Sequence, residues 1–96
     1  MARITYTPEA RADLIRLVEF LVQSGAADPE AMVDDVTHAV EFLVRHPRIG
    51  RPLESGLREL VISRGATGYL ALYDYSALYD DVLILRIRHQ REEDYH

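Results

Sequence analysis

The feature that most constrains this chain is a change of period near Pro47. Before it, apolar residues return at helical spacing in two stretches; after it, short β-branched and aromatic runs alternate between turn residues. Both helical stretches open in the same way. Thr7-Pro8-Glu9 and Asp28-Pro29-Glu30 each set a side-chain acceptor ahead of the first turn, a proline where a missing N–H is harmless, and an acid at the positive end of the helix dipole. The first stripe runs Ala10, Leu14, Leu17, Val18, Leu21, with Arg11, Glu19 and Gln23 on the solvated side, and Ser24-Gly25 ends it. The second runs Val33, Val36, Val40, Phe42, Leu43 and extends to Arg45 or His46, where Pro47 stops it. The short connection between them predicts an antiparallel helical hairpin.

A β-prone segment at residues 3–6 precedes the hairpin, and residues 46–56 form a loop rich in Pro and Gly. Residues 57–63, 69–75 and 82–89 then read as three strands of a meander, broken by Gly65 and Gly68 in one gap and by Asp80 and Asp81 in the other. The expected fold is α+β in the order β-α-α-β-β-β, with the N-terminal strand and helical hairpin packed on one face of a small, largely antiparallel sheet. Ninety-six residues, nearly half of them apolar, suffice for one domain spanning 1–96.

Charge is unevenly spread. Residues 1–44 carry three Arg against eight acids, residues 45–64 five Arg against two, and residues 65–96 three Arg against six, for a net charge of −5. An acidic chain is a poor non-specific polyanion binder, so any nucleic acid must be met locally. The absence of cysteine excludes disulfides and thiolate metal sites, and His38 has no second histidine at ligand spacing, so no metal or cofactor is expected. The N-terminus lacks a signal-peptide pattern and no apolar run approaches a membrane span, which predicts a cytoplasmic protein with no membrane partner.

Strict alternation sets Leu70 and Leu72 against Tyr69, Tyr73 and Tyr75, and Leu83, Leu85 and Ile87 against Val82, Ile84, Arg86 and Arg88. With the leucines turned to the helices, tyrosines and arginines share an open face, the composition of an interaction surface. Arg48 and Arg51 are expected to point into water or pair with the acidic helices, and Arg58, near Glu59, to fix a strand end or form a salt bridge; the alternative to a binding role for Arg86 and Arg88 is pairing with Asp74, Asp80 or Asp81.

The last strand and its exit, Ile84-Leu85-Arg86-Ile87-Arg88-His89-Gln90-Arg91, together with Leu57-Arg58-Glu59-Leu60 and with Tyr69 and Tyr73, resemble the ParE/RelE superfamily of type II toxin-antitoxin toxins over nearly the whole chain. The resemblance implies a small toxin, plasmid- or chromosome-borne, neutralised by a cognate antitoxin whose C-terminal segment wraps it. Sheet edges and the groove beside an amphipathic helix are where such a segment can add. ParE-like members poison DNA gyrase without being enzymes of RNA; RelE-like members enter the ribosome and cut messenger RNA.

Cutting RNA from its own 2′-hydroxyl needs a base, cations on the phosphate and a proton donor for the leaving oxygen. His89 as base or acid, Arg91 as phosphate clamp and Tyr95 as proton relay are the residues that would serve. Leu70 stands where such nucleases commonly carry a basic residue after the tyrosine. Glu92, Glu93 and Asp94 would repel a phosphate within the ~8–10 Å over which exposed charges are felt. Gyrase poisoning is therefore the preferred expectation, with Tyr73, Arg86, Arg88, His89 and Arg91 as target-binding residues. A ribosome-dependent endoribonuclease is the alternative, and a non-toxic antitoxin-binding module is the second.

Overall fold

The computed structural model describes residues 1–25, 28–62 and 68–92. The chain runs β1 (Arg3–Tyr6), α1 (Pro8–Ser24), α2 (Pro29–Phe42), β2 (Arg51–Pro52), β3 (Arg58–Ile62), β4 (Tyr69–Ser76) and β5 (Asp81–His89). These strands form a sheet ordered β1-β5-β4-β3-β2, antiparallel except where β1 lies parallel to β5. The α+β architecture expected from the change of period is the one observed.

The helix starts behave as their sequence dictates. Thr7 Oγ1 accepts from the Ala10 N–H at 3.0 Å and Asp28 Oδ1 accepts from the Glu30 N–H at 3.0 Å. Gly25, at φ 65°, closes α1 by donating to the Leu21 carbonyl at 3.1 Å, a left-handed conformation that glycine adopts without steric cost. The second helix ends at Phe42, short of Arg45 or His46. There Leu43 N–H and Val44 N–H bond to the carbonyls three residues back, Val40 and Glu41, which tightens the last turn and ends the α-helical ladder.

One stripe of each helix packs on one face of the sheet. Ala10, Leu17, Met32, Val36, Val40 and Leu43 meet Tyr69, Ala71, Tyr73, Val82, Ile84 and Ile87 in a single core. That inner face corrects the expected assignment, because it is the tyrosine face of β4 that turns to the helices. Tyr73 has no exposed surface and Tyr69 is buried, whereas Leu72 is half-buried and Leu83 is exposed on the other side. The cause in β5 is a bulge. Leu72 pairs with Arg86 but Tyr73 pairs with Ile84, so Leu85 is an extra residue that breaks strict alternation. Val82 and Ile84 before it and Ile87 after it therefore share the buried face, and Arg86 and Arg88 lie across from Leu72 and Leu70.

The loop before β3 is tied to this core. The Tyr73 hydroxyl donates to the Pro47 carbonyl and accepts from the Gly50 N–H, each at 2.8 Å. A Cβ on Gly50 would stand 2.5 Å from that hydroxyl, so only glycine fits there. Arg58 Nη1 donates to the Arg48 and Gly50 carbonyls at 2.9 Å, which fixes the strand end as expected. The other two loop arginines are exposed to water, as expected, and each also has a partner in the sheet instead of on the helices. Arg51 belongs to β2 and pairs with Glu59, and Arg48 lies 5.0 Å over the Tyr75 ring in a cation–π contact.

Candidate functional site

The exit of β5 is shaped by the point at which β1 runs out. Tyr6 opposite Ile84 is the last β1–β5 pair, after which Thr7 N–H donates to the Ile84 carbonyl and Thr7 Oγ1 to the Leu85 carbonyl, both at 3.0 Å. Beyond Thr7 the edge of β5 faces α1 instead of a strand. Asp13 of α1, only 4% exposed, accepts from the Ile87 N–H at 2.8 Å and takes the Arg86 guanidinium on both oxygens, at 2.9 and 3.0 Å. A buried carboxylate is thus met by a bidentate cation and a main-chain donor, the arrangement that such burial requires. The same hydrogen bonds raise the Arg86 pKa further above its ordinary value. Arg86 is therefore paired with Asp13 of the helix, and neither Asp74, Asp80 nor Asp81 is its partner: Asp81 holds Arg3, and Asp80 holds the Tyr75 hydroxyl and the N-terminal ammonium.

Past His89, the last residue of β5, the chain folds into a tight turn. Glu92 N–H donates to the His89 carbonyl at 3.0 Å, and the Arg88 guanidinium donates to the His89 and Glu92 carbonyls. One oxygen of the Glu92 carboxylate accepts from His89 N–H at 3.2 Å and from Arg16 Nη1 at 3.1 Å. The His89 ring lies edge-on to Tyr69, 5.2 Å between centroids, and its Nδ1 accepts from the Arg91 N–H at 3.0 Å. Burial, then the nearby Arg91 charge, lowers the His89 pKa, with Glu92 opposing them. The ring is consequently neutral near pH 7, its proton on Nε2 and its Nδ1 already engaged.

Of the residues expected at a target surface, Arg88, His89 and Arg91 are brought together at this exit. Arg91 is exposed, while Arg88 and His89 are half-buried. Arg86 adjoins them but is held to α1. Tyr73 does not join them, since it is a core residue under the loop at residues 47–50, and a fully buried ring offers no anchor on the surface. Tyr95, Glu93 and Asp94 lie outside the described residues. Among the described residues no cluster of His, Asp and Glu is placed to hold a metal, and no helix is long and apolar enough to cross a membrane. Sequence reasoning missed Asp13 and Arg16. The signal was present for Asp13, an acid within the buried stripe of Ala10 and Leu17, where only a paired carboxylate can sit.

A second surface lies at the opposite flank. Between α2 and β3 a groove of about 500 Å³ is lined by Phe42, Ile49, Leu60, Val61 and Ile62, with Asp35 and His38 on its helical side. Phe42, Ile49 and Val61 remain 50%, 54% and 48% exposed there. β2 pairs only with Arg58 and Glu59, so among the described residues no strand continues along β3 beyond Glu59.

An N-terminal edge strand, a helical hairpin and an antiparallel meander make a small α+β fold that this chain shares with chains of solved toxin-antitoxin systems. A chain of the "Chromosomal ParDE TA system from P. aeruginosa" superposes with a TM-score of 0.73 at 28% identity, covering 93% of this chain and 96% of that one. A chain of the toxin-antitoxin complex RelBE2 from Mycobacterium tuberculosis superposes with a TM-score of 0.65, also at 28% identity, covering 93% and 98%. In sequence the chain is 34% identical over 92 residues to Toxin RelE3 of Caulobacter vibrioides, 96% of this chain and 98% of that protein. Residues 4–94 match the family described as the ParE toxin of the type II toxin-antitoxin system parDE, and the chain belongs to that family of toxins.

Proposed function

We propose that this toxin poisons DNA gyrase in the cytoplasm, binding it through the exit of β5 with Arg88, His89 and Arg91, and that a cognate antitoxin neutralises it. The observation that carries the choice of target is the position of Glu92. Its carboxylate is folded into the exit against the His89 N–H and the Arg16 guanidinium, so a phosphate approaching Arg88 or Arg91 meets a carboxylate already set among these cations and not a purely basic cradle. His89 Nδ1 is already an acceptor for Arg91 N–H, which leaves only its protonated nitrogen to face a substrate. A protein target has no such difficulty, because interfaces mix acids with arginines and gain specificity from the pattern.

The names of the relatives carry both the Rel and the Par label, so the choice rests on chemistry. Purified chain incubated with gyrase and closed circular DNA should trap cleaved DNA, and the same preparation should leave messenger RNA on programmed ribosomes intact. RNA cut only when ribosomes are present would overturn the choice. The antitoxin fits the flank between α2 and β3, where a strand edge and an apolar groove coincide and an extended segment can bond main chain to main chain while burying alternate side chains.

A further inference from the structure

We infer that Arg16 of α1 is a positioning residue for the target-binding exit of β5. The inference rests on the proposed role of that exit and adds a residue remote from it in sequence. Arg16 sits one turn after Asp13, its Nη2 3.8 Å from the Asp13 carboxylate, and sends Nη1 to Glu92 at 3.1 Å. The Glu92 oxygen it holds is also the acceptor of the His89 N–H, and the Glu92 carbonyl accepts from the Arg88 guanidinium. Arg16 therefore reaches, through Glu92, both residues that open the exit.

Neither element needs this contact to form. The first helix has its own caps at Thr7 and Gly25, and the strand has its ladder with β4. The Arg16 side chain is 40% exposed and that of Glu92 19%, so the pair lies at the margin of the core. What it settles is the direction of the chain after His89, where the ladder with β4 ends. It also settles charge: Glu92 is turned in against α1, and Arg91 beside it is exposed. Without Arg16, the Glu92 carboxylate loses the Arg16 guanidinium, and the turn that follows Arg88 and His89 loses this tie to the helix.

The test uses the full chain with four readouts: growth arrest on expression without antitoxin, gyrase-dependent DNA cleavage, affinity for the antitoxin encoded beside this chain, and hydrogen exchange at the His89 and Arg91 amides. Arg16→Gln should weaken growth arrest about tenfold, the equivalent of one charge-assisted hydrogen bond, with faster exchange at His89 and antitoxin affinity within about twofold of wild type. Glu92→Gln should match it, the double variant should be no worse than either single, and Arg16→Lys should recover most of the loss. Growth arrest unchanged in Arg16→Gln, or antitoxin affinity lost in parallel with it, would overturn the inference. The exit itself is judged separately. If Arg88→Ala/Arg91→Ala arrests growth as wild type does, the reading of the exit fails and Arg16 with it; if that variant is inactive while Arg16→Gln is active, only the Arg16 inference fails. Growth arrest judges Arg16 whichever target is correct, and the gyrase assay judges the target.

Discussion

The two flanks of the sheet are finished in opposite ways. On the β5 flank the chain closes its own edge, first with β1 and then, where β1 ends, with the Asp13 carboxylate, which satisfies the Ile87 N–H and gathers Arg86. On the β3 flank β2 covers two residues and the chain then leaves an apolar groove, with Phe42, Ile49 and Val61 about half exposed. Closing an edge with a buried charge is a rigid solution, because any change strands an ion. An edge left beside apolar side chains is an open one, completed by whatever supplies a strand and a hydrophobic surface. The first suits a surface whose geometry must be fixed before it meets a target, the second a surface that a partner covers.

That contrast can be broken from either side. The largest effect is expected at the closed flank, where Asp13→Ala leaves Arg86 and the Ile87 N–H without their acceptor and should cost about 3 kcal/mol, the low end for a broken buried pair because Arg86 keeps a quarter of its side chain in water. Urea unfolding measures it, and a cost under ~0.5 kcal/mol, as at an ordinary surface site, would remove the distinction between the flanks. Next comes the tether between core and loop. Tyr73→Phe removes the acceptor of the Gly50 N–H and the donor to Pro47, for about 1–3 kcal/mol, with the loss concentrated in faster amide exchange at Gly50.

At the open flank stability and binding should separate. Val61→Lys sets a charge on the exposed edge and should change stability by no more than ~0.5 kcal/mol. The same variant should lose at least about tenfold in antitoxin affinity, since edge lysines oppose strand addition. Co-purification undiminished by Val61→Lys would place the antitoxin elsewhere. The smallest effect is pH-linked. The folded state lowers the His89 pKa below the usual 6.5, so its contribution is fully present above that value and declines as pH falls through the window below it. Protonation also removes the Nδ1 acceptor of Arg91 N–H. The urea midpoint of the wild type should fall faster between pH 7 and 5 than that of His89→Asn; parallel curves would show that the ring does not couple to folding.

The helices were legible because their signals are local: Thr7 and Asp28 cap within three residues of themselves, and Gly25 ends α1 at a left-handed residue that glycine alone takes easily. The three-stranded meander and its turn at Asp80 were legible for the same reason. The face of the sheet was not. Alternation counts residues along one strand, and the extra residue at Leu85 is visible only against the partner strand β4. The tyrosines misled in the same way, since a phenol reads as a surface group until its hydroxyl finds Pro47 and Gly50 inside the fold.

By itself, then, the sequence determined the order of elements, the α+β class, the family likeness and the segment that carries Arg88, His89 and Arg91. Only the tertiary structure decided which way that segment faces, that Tyr73 belongs to the core, and that Asp13 and Arg16 bond to Arg86 and Glu92 across separations of 73 and 76 residues. The physical reason is one of range. Capping, turn preference and periodicity act within a few residues, whereas bulge position and buried ion pairing depend on which distant partners meet when the sheet closes.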